Sequence, residues 1–320
     1  MNTQTETPES LVSLEPPKFS NNLLHPKYWG VWAGYGFVAL LVNILPFCVI
    51  LWLGRTLGWL GIYVAKRRFN IAKRNFELAF PDMGETERDY MARENMKNTG
   101  MGIFETMIAW FWPDWRIKRI VRYYNLDKLQ EYENQGRGTL LCSPHNLNLE
   151  LSARACALYS PGYGVYRPHD NPAFDFIQHY GRTRSGNIMV DRKDLKSMMK
   201  ILRKGKKLFY LPDHDYGFKN AVFVPFFAVQ EASTTVGTNF LTSTKCAVMA
   251  ISCYRYGQYY EFRLGEDISD NCPIRDAEGV ARRMNQEMEK TIMRSPTQWM
   301  WVHKRYKTMP DGKNKGIRYK

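Results

Sequence analysis

Hydrophobic and polar positions divide the chain into three stretches. Residues 1–27 are polar, rich in Ser, Thr, Pro and Asn, and follow neither a helical nor a strand period, which predicts a flexible tail. Across residues 28–54 no side chain is charged, and Val38-Ala39-Leu40-Leu41-Val42 leads into Ile44, Leu45, Phe47, Val49, Ile50, Leu51 and Leu53. About 20 apolar residues in a helix cross a bilayer core. The pattern therefore predicts an N-terminal transmembrane helix over about residues 28–53, kinked at Pro46, inside a transmembrane or interfacial anchor of residues 28–65, the alternative being a buried core helix or an interfacial one. Trp29, Trp32 and Tyr35 at one end and Trp52 and Trp59 toward the other stand where interfacial aromatics belong. Arg55, Lys66, Arg67, Arg68, Lys73 and Arg74 follow the run, so residues 66–320 are expected as a cytoplasmic domain. Basic residues that follow an apolar run, with no small-residue cleavage pattern, fit a signal peptide less well.

Residues 86–112 show helical spacing that grows apolar toward Met107, Ile108, Trp110, Phe111 and Trp112; such a stripe is core, or the wall of an apolar ligand groove. Beyond it, short apolar runs alternate with helical patterns. Strands are predicted at 140–142, 164–166, 188–190, 208–211, 222–224, 247–252 and 259–264. Helices are predicted after Asn146 and over 172–180, 194–202, 234–244, 277–293 and 298–307. The alternation specifies an α/β fold, a central mixed sheet covered by helices. No internal repeat and no glycine-rich dinucleotide fingerprint occurs.

Candidate chemistry gathers where these strands end. The run Ser143-Pro144-His145-Asn146-Leu147-Asn148-Leu149-Glu150 joins a strand to a helix, with His145 in the turn and Glu150 in the first helical turn. Two residues five apart on one helix are about 140° out of register. A histidine just ahead of the helix escapes that limit and can fold back, one ring nitrogen on the Glu150 carboxylate and the other facing outward as a base. The alternative is a His145 that caps or packs the turn and a Glu150 that is a solvated acid. Ligands of open α/β sheets collect beyond the strand carboxyl ends. Arg167 and Asp170 stand at one such end and Asp213-His214-Asp215 at another, with Arg182 and Arg184 close to a glycine-flanked helix end.

The formal net charge of +14, with a sequence pI near 9.4, calls for an acidic partner: anionic lipid, nucleic acid or an acidic protein. Lys304, Arg305 and Lys307 are candidates for that surface. Interleaved with Trp299, Trp301, His303 and Tyr306, they also suit a membrane-tethered module that binds nucleic acid or anionic lipid. His145, Glu150, Asp213, His214 and Asp215 could in principle be ligands of a metal-dependent hydrolase, but their spacing fits no zinc or two-metal pattern. The six cysteines are scattered, without a Cys-x-x-Cys pair, and read as small apolar residues in a reducing compartment.

The stretches LLHPKYWGVW (23–32), GMGIFETMIAWFWPD (100–114), HNLNLE (145–150), GYGVYRPHDNP (162–172), YGRTRS (180–185), DRKDLK (191–196), LPDHDYG (211–217), VFVPFFAV (222–229) and WMWVHKRYKTMPDG (299–312) resemble the late acyltransferases of lipid A synthesis in Gram-negative bacteria, above all the lauroyl- and palmitoleoyl-transferring branch. The resemblance implies a transferase of the bacterial inner membrane, with a single N-terminal span and a catalytic domain facing the cytoplasm. It would move a fatty acyl chain from acyl carrier protein to a hydroxyl on a hydroxyacyl chain of Kdo2-lipid IVA. The implied partners are acyl carrier protein, Kdo2-lipid IVA and inner-membrane lipids, not nucleic acid; no cofactor or metal is implied, the acyl–carrier protein being a substrate. By resemblance His145 and Glu150 are the catalytic pair, and Arg182 and Asp213 are implicated beside them. Arg167, Asp215 and Arg184 are further candidates for substrate or oxyanion binding, and a glycerolipid-type acyltransferase is the alternative. Asn146 departs from the aromatic or small residue common after the motif histidine, which bears on acyl preference and acceptor position. Chemically, a hydroxyl attacking a thioester needs a base, which His145 supplies, with Glu150 holding the imidazolium and Arg182 or helix-start amides facing the oxyanion. Cys142, in an apolar strand, is expected to be inert.

Overall fold

In the computed structural model, which describes residues 8–215, 217–312 and 317–319, the uncharged run forms two helices. Helix α1 (Trp29–Ile44) stops at Leu45, whose φ and ψ of −74° and 147° are extended, and α2 (Phe47–Val64) begins after Pro46. Proline disfavours helical geometry in the residue before it and supplies no N–H. The single helix expected over 28–53 is therefore broken at Pro46, not merely kinked. Among the described residues, helix α2 alone has the length and composition to cross a membrane. One of its faces is nonetheless docked. The chain turns into α3 (Lys66–Ala79) and then the long α4 (Glu85–Phe111), against which α2 lies backbone to backbone. A Cβ at Gly58 would sit 2.2 Å from the Met96 carbonyl oxygen, and one at Gly100 would sit 2.2 Å from that of Gly54. Arg55, halfway along α2, pairs with Glu94 of α4 at 2.9 Å. The opposite faces of the two helices expose Phe37, Leu40, Ile44, Trp52, Leu60 and Val64.

Of the expected tail, residues 1–7 lie outside the described residues. Residues 8–27 lie on the domain: Leu11 and Leu23 are buried, Tyr163 donates to the Pro8 carbonyl at 2.9 Å, and Ser13 donates to Asp194 at 2.5 Å. Two isolated leucines create no period for a sequence reading to detect.

After α5 (Asp114–Ile120), β1 (Val121–Tyr124) and α6 (Asp127–Asn134), strand and helix alternate: β2 (Thr139–Cys142), α7 (Leu149–Tyr159), β3 (Tyr163–Tyr166), α8 (Pro172–Thr183), β4 (Ile188–Asp191), α9 (Leu195–Arg203) and β5 (Lys207–Tyr210). A hairpin of β6 (Ala221–Phe226) and β7 (Val229–Thr234) leads through α10 (Val236–Thr244) to β8 (Ala247–Tyr256), β9 (Tyr259–Asp267) and α11 (Ala277–Ile292). Seven strands form one sheet in the order β1-β9-β8-β2-β5-β3-β4, in which every pairing is parallel except that of β8 with β9, so the sheet is mixed. Both faces are covered. Leu140, Cys142, Leu208 and Val248 point into one core with α9, α10 and α11, and Leu141, Phe209 and Met249 point into the other beneath α4 and α7. Such two-sided burial is why these strands read as unbroken apolar runs.

The helix expected over 298–307 does not form. A 3-10 turn (Pro296–Gln298) is followed by irregular chain whose Trp299, Trp301, Arg305 and Tyr306 are buried. Its carbonyls are satisfied from outside: the Asn95 amide donates to the carbonyls of Thr297 (2.8 Å) and Trp299 (2.7 Å), and the Asn75 amide to those of Trp301 and His303, both at 2.6 Å. Trp299 and Trp301 lie inside the core, where they cannot stack on bases. Arg305, ion-paired with buried Glu231 at 2.5 Å, is likewise not part of a basic surface.

Candidate active site

Strands β2 and β5 are parallel neighbours with Cys142 opposite Tyr210. Residues three beyond each strand end therefore leave the sheet side by side, and these are His145 and Asp213. The His145 backbone N–H donates to Asp213 Oδ2 at 2.8 Å, and Nδ1 lies 2.5 Å from Oδ1. Trp299 Nε1 donates to Oδ2 at 2.6 Å. Asp213 is completely buried. Burial opposes its charge, but the charge and hydrogen bond of His145, with His214 and Arg305 nearby, outweigh it and hold the carboxyl well below the usual carboxylate range. The imidazole of His214 stacks on that of His145, centroids 3.3 Å apart and planes within 6°, and His303 follows at 5.8 Å from His214. Burial, reinforced by the charge of His145, pushes His214 down to about 3.

The expected contact between His145 and Glu150 is absent. The turn between them does not fold back because the C-terminal segment pins it: Met300 N–H donates to the His145 carbonyl at 3.0 Å, and Leu147 N–H to that of Gln298 at 2.8 Å. Glu150 instead faces α8. Arg182 Nε donates to its two oxygens at 3.0 and 3.1 Å, Arg182 Nη2 donates to Oε1, and Trp110 Nε1 donates to Oε2 at 2.9 Å. Burial again opposes the charge, and Arg182 overcomes it, keeping the Glu150 carboxyl below its ordinary value.

Both assemblies border open space. A groove of about 790 Å³ is lined by His145, Tyr166, Arg167, Arg182, Tyr210 and His214 among others. A second cavity of about 250 Å³, lined by Arg67, Arg68, His303 and Lys304, meets the groove at His145 and His214. A third, apolar and about 80 Å³, lies by the Glu150–Arg182 pair among Val165, Met189, Phe209 and Ile251.

The other candidates have different places. Arg167 is on the groove, 3.9 Å from Asp170. Asp215 borders the second cavity but accepts from the backbone N–H and hydroxyl of Thr308, both at 2.7 Å, and from Gly217 N–H at 2.9 Å. Arg184 donates to the Trp110 carbonyl at 2.5 Å and braces the end of α4. Trp110 and Trp112 are core, Trp112 donating to the Val42 carbonyl at 2.6 Å. Burial raises the Cys142 thiol well above its usual value. With Glu150 and Asp215 turned elsewhere, the hydrolase ligand set does not converge, and among the described residues no three His, Cys, Asp or Glu side chains are placed to hold a metal ion. Trp110 and Trp299, the indole donors to the two carboxylates, are separated from them by 40 and 86 residues, and no local pattern could reveal them.

Residues 16–308 match the family model described as "Bacterial lipid A biosynthesis acyltransferase". The chain is 47% identical over 301 residues to the lipid A biosynthesis lauroyltransferase of Escherichia coli (strain K12), covering 92% of this chain and 97% of that protein. It is 45% identical over 309 residues to a lipid A biosynthesis acyltransferase of Haemophilus influenzae, covering 94% and 97%. To the lipid A biosynthesis palmitoleoyltransferase of Escherichia coli (strain K12) it is 38% identical over 298 residues, covering 93% and 97%.

Proposed function

The chain belongs to the bacterial lipid A biosynthesis acyltransferase family and is an acyltransferase, and from that premise we propose that it transfers a fatty acyl chain from acyl carrier protein to a hydroxyl on a hydroxyacyl chain of Kdo2-lipid IVA, with His145 as the base. The observation that carries this reading is the engagement of His145 Nδ1 by buried Asp213 at the meeting point of two cavities. With Nδ1 occupied, Nε2 is the nitrogen left for substrate. It takes the acceptor hydroxyl proton as that oxygen bonds to the thioester carbonyl carbon. When the tetrahedral intermediate collapses, the C–S bond breaks and the thiolate leaves with the proton from His145. Asp213, held anionic, fixes the tautomer and stabilises the imidazolium, the part expected of Glu150. Glu150 positions Arg182, whose guanidinium borders the groove as the cation for the oxyanion. Written this way the reaction needs no metal or cofactor.

The site faces the cytoplasm from the inner membrane, held by α1 and α2. The chain before the uncharged run and the chain after it both rest on the same domain, so the run crosses a bilayer an even number of times or not at all. A spanning α2 would also carry the Arg55–Glu94 pair and Lys97 into hydrocarbon, where charged side chains cost about 2.5–3.5 kcal/mol each. The exposed apolar faces therefore lie in the inner leaflet.

The test is mass spectrometry of lipid A from a host that lacks its own late acyltransferases and expresses this chain. One added acyl chain is expected, lost with His145→Ala. Lipid A of unchanged mass, with the protein present in the membrane, sinks the proposal.

A further inference from the structure

We infer that the smaller cavity beside His145 is a binding subsite for a phosphate ester. Its wall comes from two distant segments, Arg67 and Arg68 at the start of α3, and His303, Lys304 and Lys307 beyond α11, closed at one end by His145 and His214. Four permanent cations thus face about 250 Å³ of space. One carboxylate shares the wall, Asp215, and its oxygens are taken by Thr308 and Gly217. Among the described residues Arg67, Lys304 and Lys307 form no ion pair; Arg68 donates to the Val302 carbonyl at 3.2 Å, and the Lys304 ammonium lies 5.4 Å from the Tyr319 ring centre. Arg305 also borders the space, but its side chain is buried and paired with Glu231.

Like charges brought together without counter-charge repel, and a concave wall focuses their field into the space it encloses. His303 registers that field: burial, then Arg68, His145 and Lys307, hold its imidazole below the ordinary value. A guanidinium fork with ammonium groups beside it is the donor set that phosphate oxygens take, and it offers donors without competing acceptors. The volume leaves room for the first atoms of whatever carries the phosphate.

On the acyl-transfer reading there are two sources of a phosphate ester: the head of the lipid acceptor, and the thiol-bearing arm of the carrier protein. Arg67 and Arg68 follow directly on α2, whose free face is apolar, so a group arriving from the bilayer meets them first. From either source, a phosphate anchored here gives the substrate a fixed point next to the base.

The experiment uses the full chain in detergent, with Arg67→Gln/Lys304→Gln/Lys307→Gln as the variant and Arg282→Gln/Lys290→Gln on α11 as the charge control. Inorganic pyrophosphate is titrated calorimetrically. Saturable binding is expected for wild type and control, and about tenfold weaker binding for the cavity variant. Binding that is equal in all three, or absent from wild type, overturns the subsite. In a second arm KM is measured for the acceptor, for phosphatase-treated acceptor and for the acyl donor. A KM raised about tenfold for the intact acceptor alone assigns the phosphate to the lipid, and one raised for the donor alone assigns it to the carrier arm; both support the subsite. Unchanged KM values for both substrates overturn it. A wild type that binds pyrophosphate but transfers no acyl chain would instead retire the acyl-transfer reading and leave the subsite standing.

Discussion

Replacing Asp213 by Asn changes one atom of the side chain, yet the surrounding donors make the two ends of the new amide unequal. At the Oδ2 position two N–H groups converge, from the His145 backbone and the Trp299 indole, and an NH2 placed there would face both. The amide oxygen must take that position. The NH2 is left opposite His145 Nδ1, now 2.5 Å from Oδ1, and it can be accommodated only if Nδ1 becomes an acceptor. The ring proton then moves to Nε2, the nitrogen needed as the base. Fold and burial survive, while the reactive tautomer does not. Loss of the carboxylate that orients a catalytic histidine lowers kcat by about 10⁴, which corresponds to about 5 kcal/mol in the barrier. The assay is single-turnover acyl transfer from labelled acyl–carrier protein to acceptor in mixed micelles, beside a melting curve of each protein. A loss of about 10³–10⁴ in rate with little change in Tm is expected. A variant that keeps its rate within about tenfold would show that Asp213 does not set the tautomer, and the mechanism would fail with it.

Glu150→Gln leaves the Arg182 guanidinium without its carboxylate, so it should lower both turnover, by about 10², and stability, by on the order of 2–3 kcal/mol for a pair that is only partly exposed; a Tm equal to that of wild type would argue against a holding role for Glu150. His214, pushed down to about 3 in the fold, stays neutral there while the unfolded chain takes its proton at about pH 6.5, so stability should decline as pH falls from about 6.5 toward 3, and Tm measured from pH 7 to 5 should fall less steeply in His214→Gln. Gly58→Leu puts a side chain where a Cβ already meets the Met96 carbonyl at 2.2 Å, and should undock α2 from α4 with a Tm loss of several degrees; an unchanged Tm would mean that the two backbones are not in contact. A cysteine in place of Ile44, at the exposed end of α1, should escape impermeant maleimide added outside spheroplasts, and labelling there would place the bend across the membrane.

Much of the sheet could be read because strands buried on both faces are short apolar runs bounded by turn residues. β2, β3, β4, β5, β8 and β9 were all expected within a few residues of where they lie. β7 escaped notice because Gln230, Glu231 and Ser233 make it read as polar, although Glu231 and Ser233 are buried partners of Arg305 and Asn285. The parallel neighbourhood of β2 and β5 is the fact that assembles the site. His145 stands three residues past a predicted strand and Asp213 two, but only strand order reveals that these positions come together, and strand order is a long-range property. Chain proximity favoured Glu150, five residues from His145, and tertiary packing overrode it through Arg182. The C-terminal segment misled for a related reason: its aromatic spacing suits a helix, but Asn75 and Asn95 supply its hydrogen bonds from α3 and α4.

Helix α4, about 40 Å long at 1.5 Å per residue, has a consequence for how this enzyme is handled. Near its middle, Gly100 meets the backbone of α2; two residues on, Gly102 faces the Leu147 carbonyl in the turn after His145; at its far end Trp110 holds Glu150. If α2 sits in the leaflet as proposed, lipid packing against it bears on the one helix that also touches the histidine turn and the Glu150–Arg182 pair. On that proposal, extraction into detergent is not a neutral preparative step. Micelle curvature and thickness would then be variables of the rate constant itself, and turnover compared across surfactants would report how α2 is seated as much as how substrates bind.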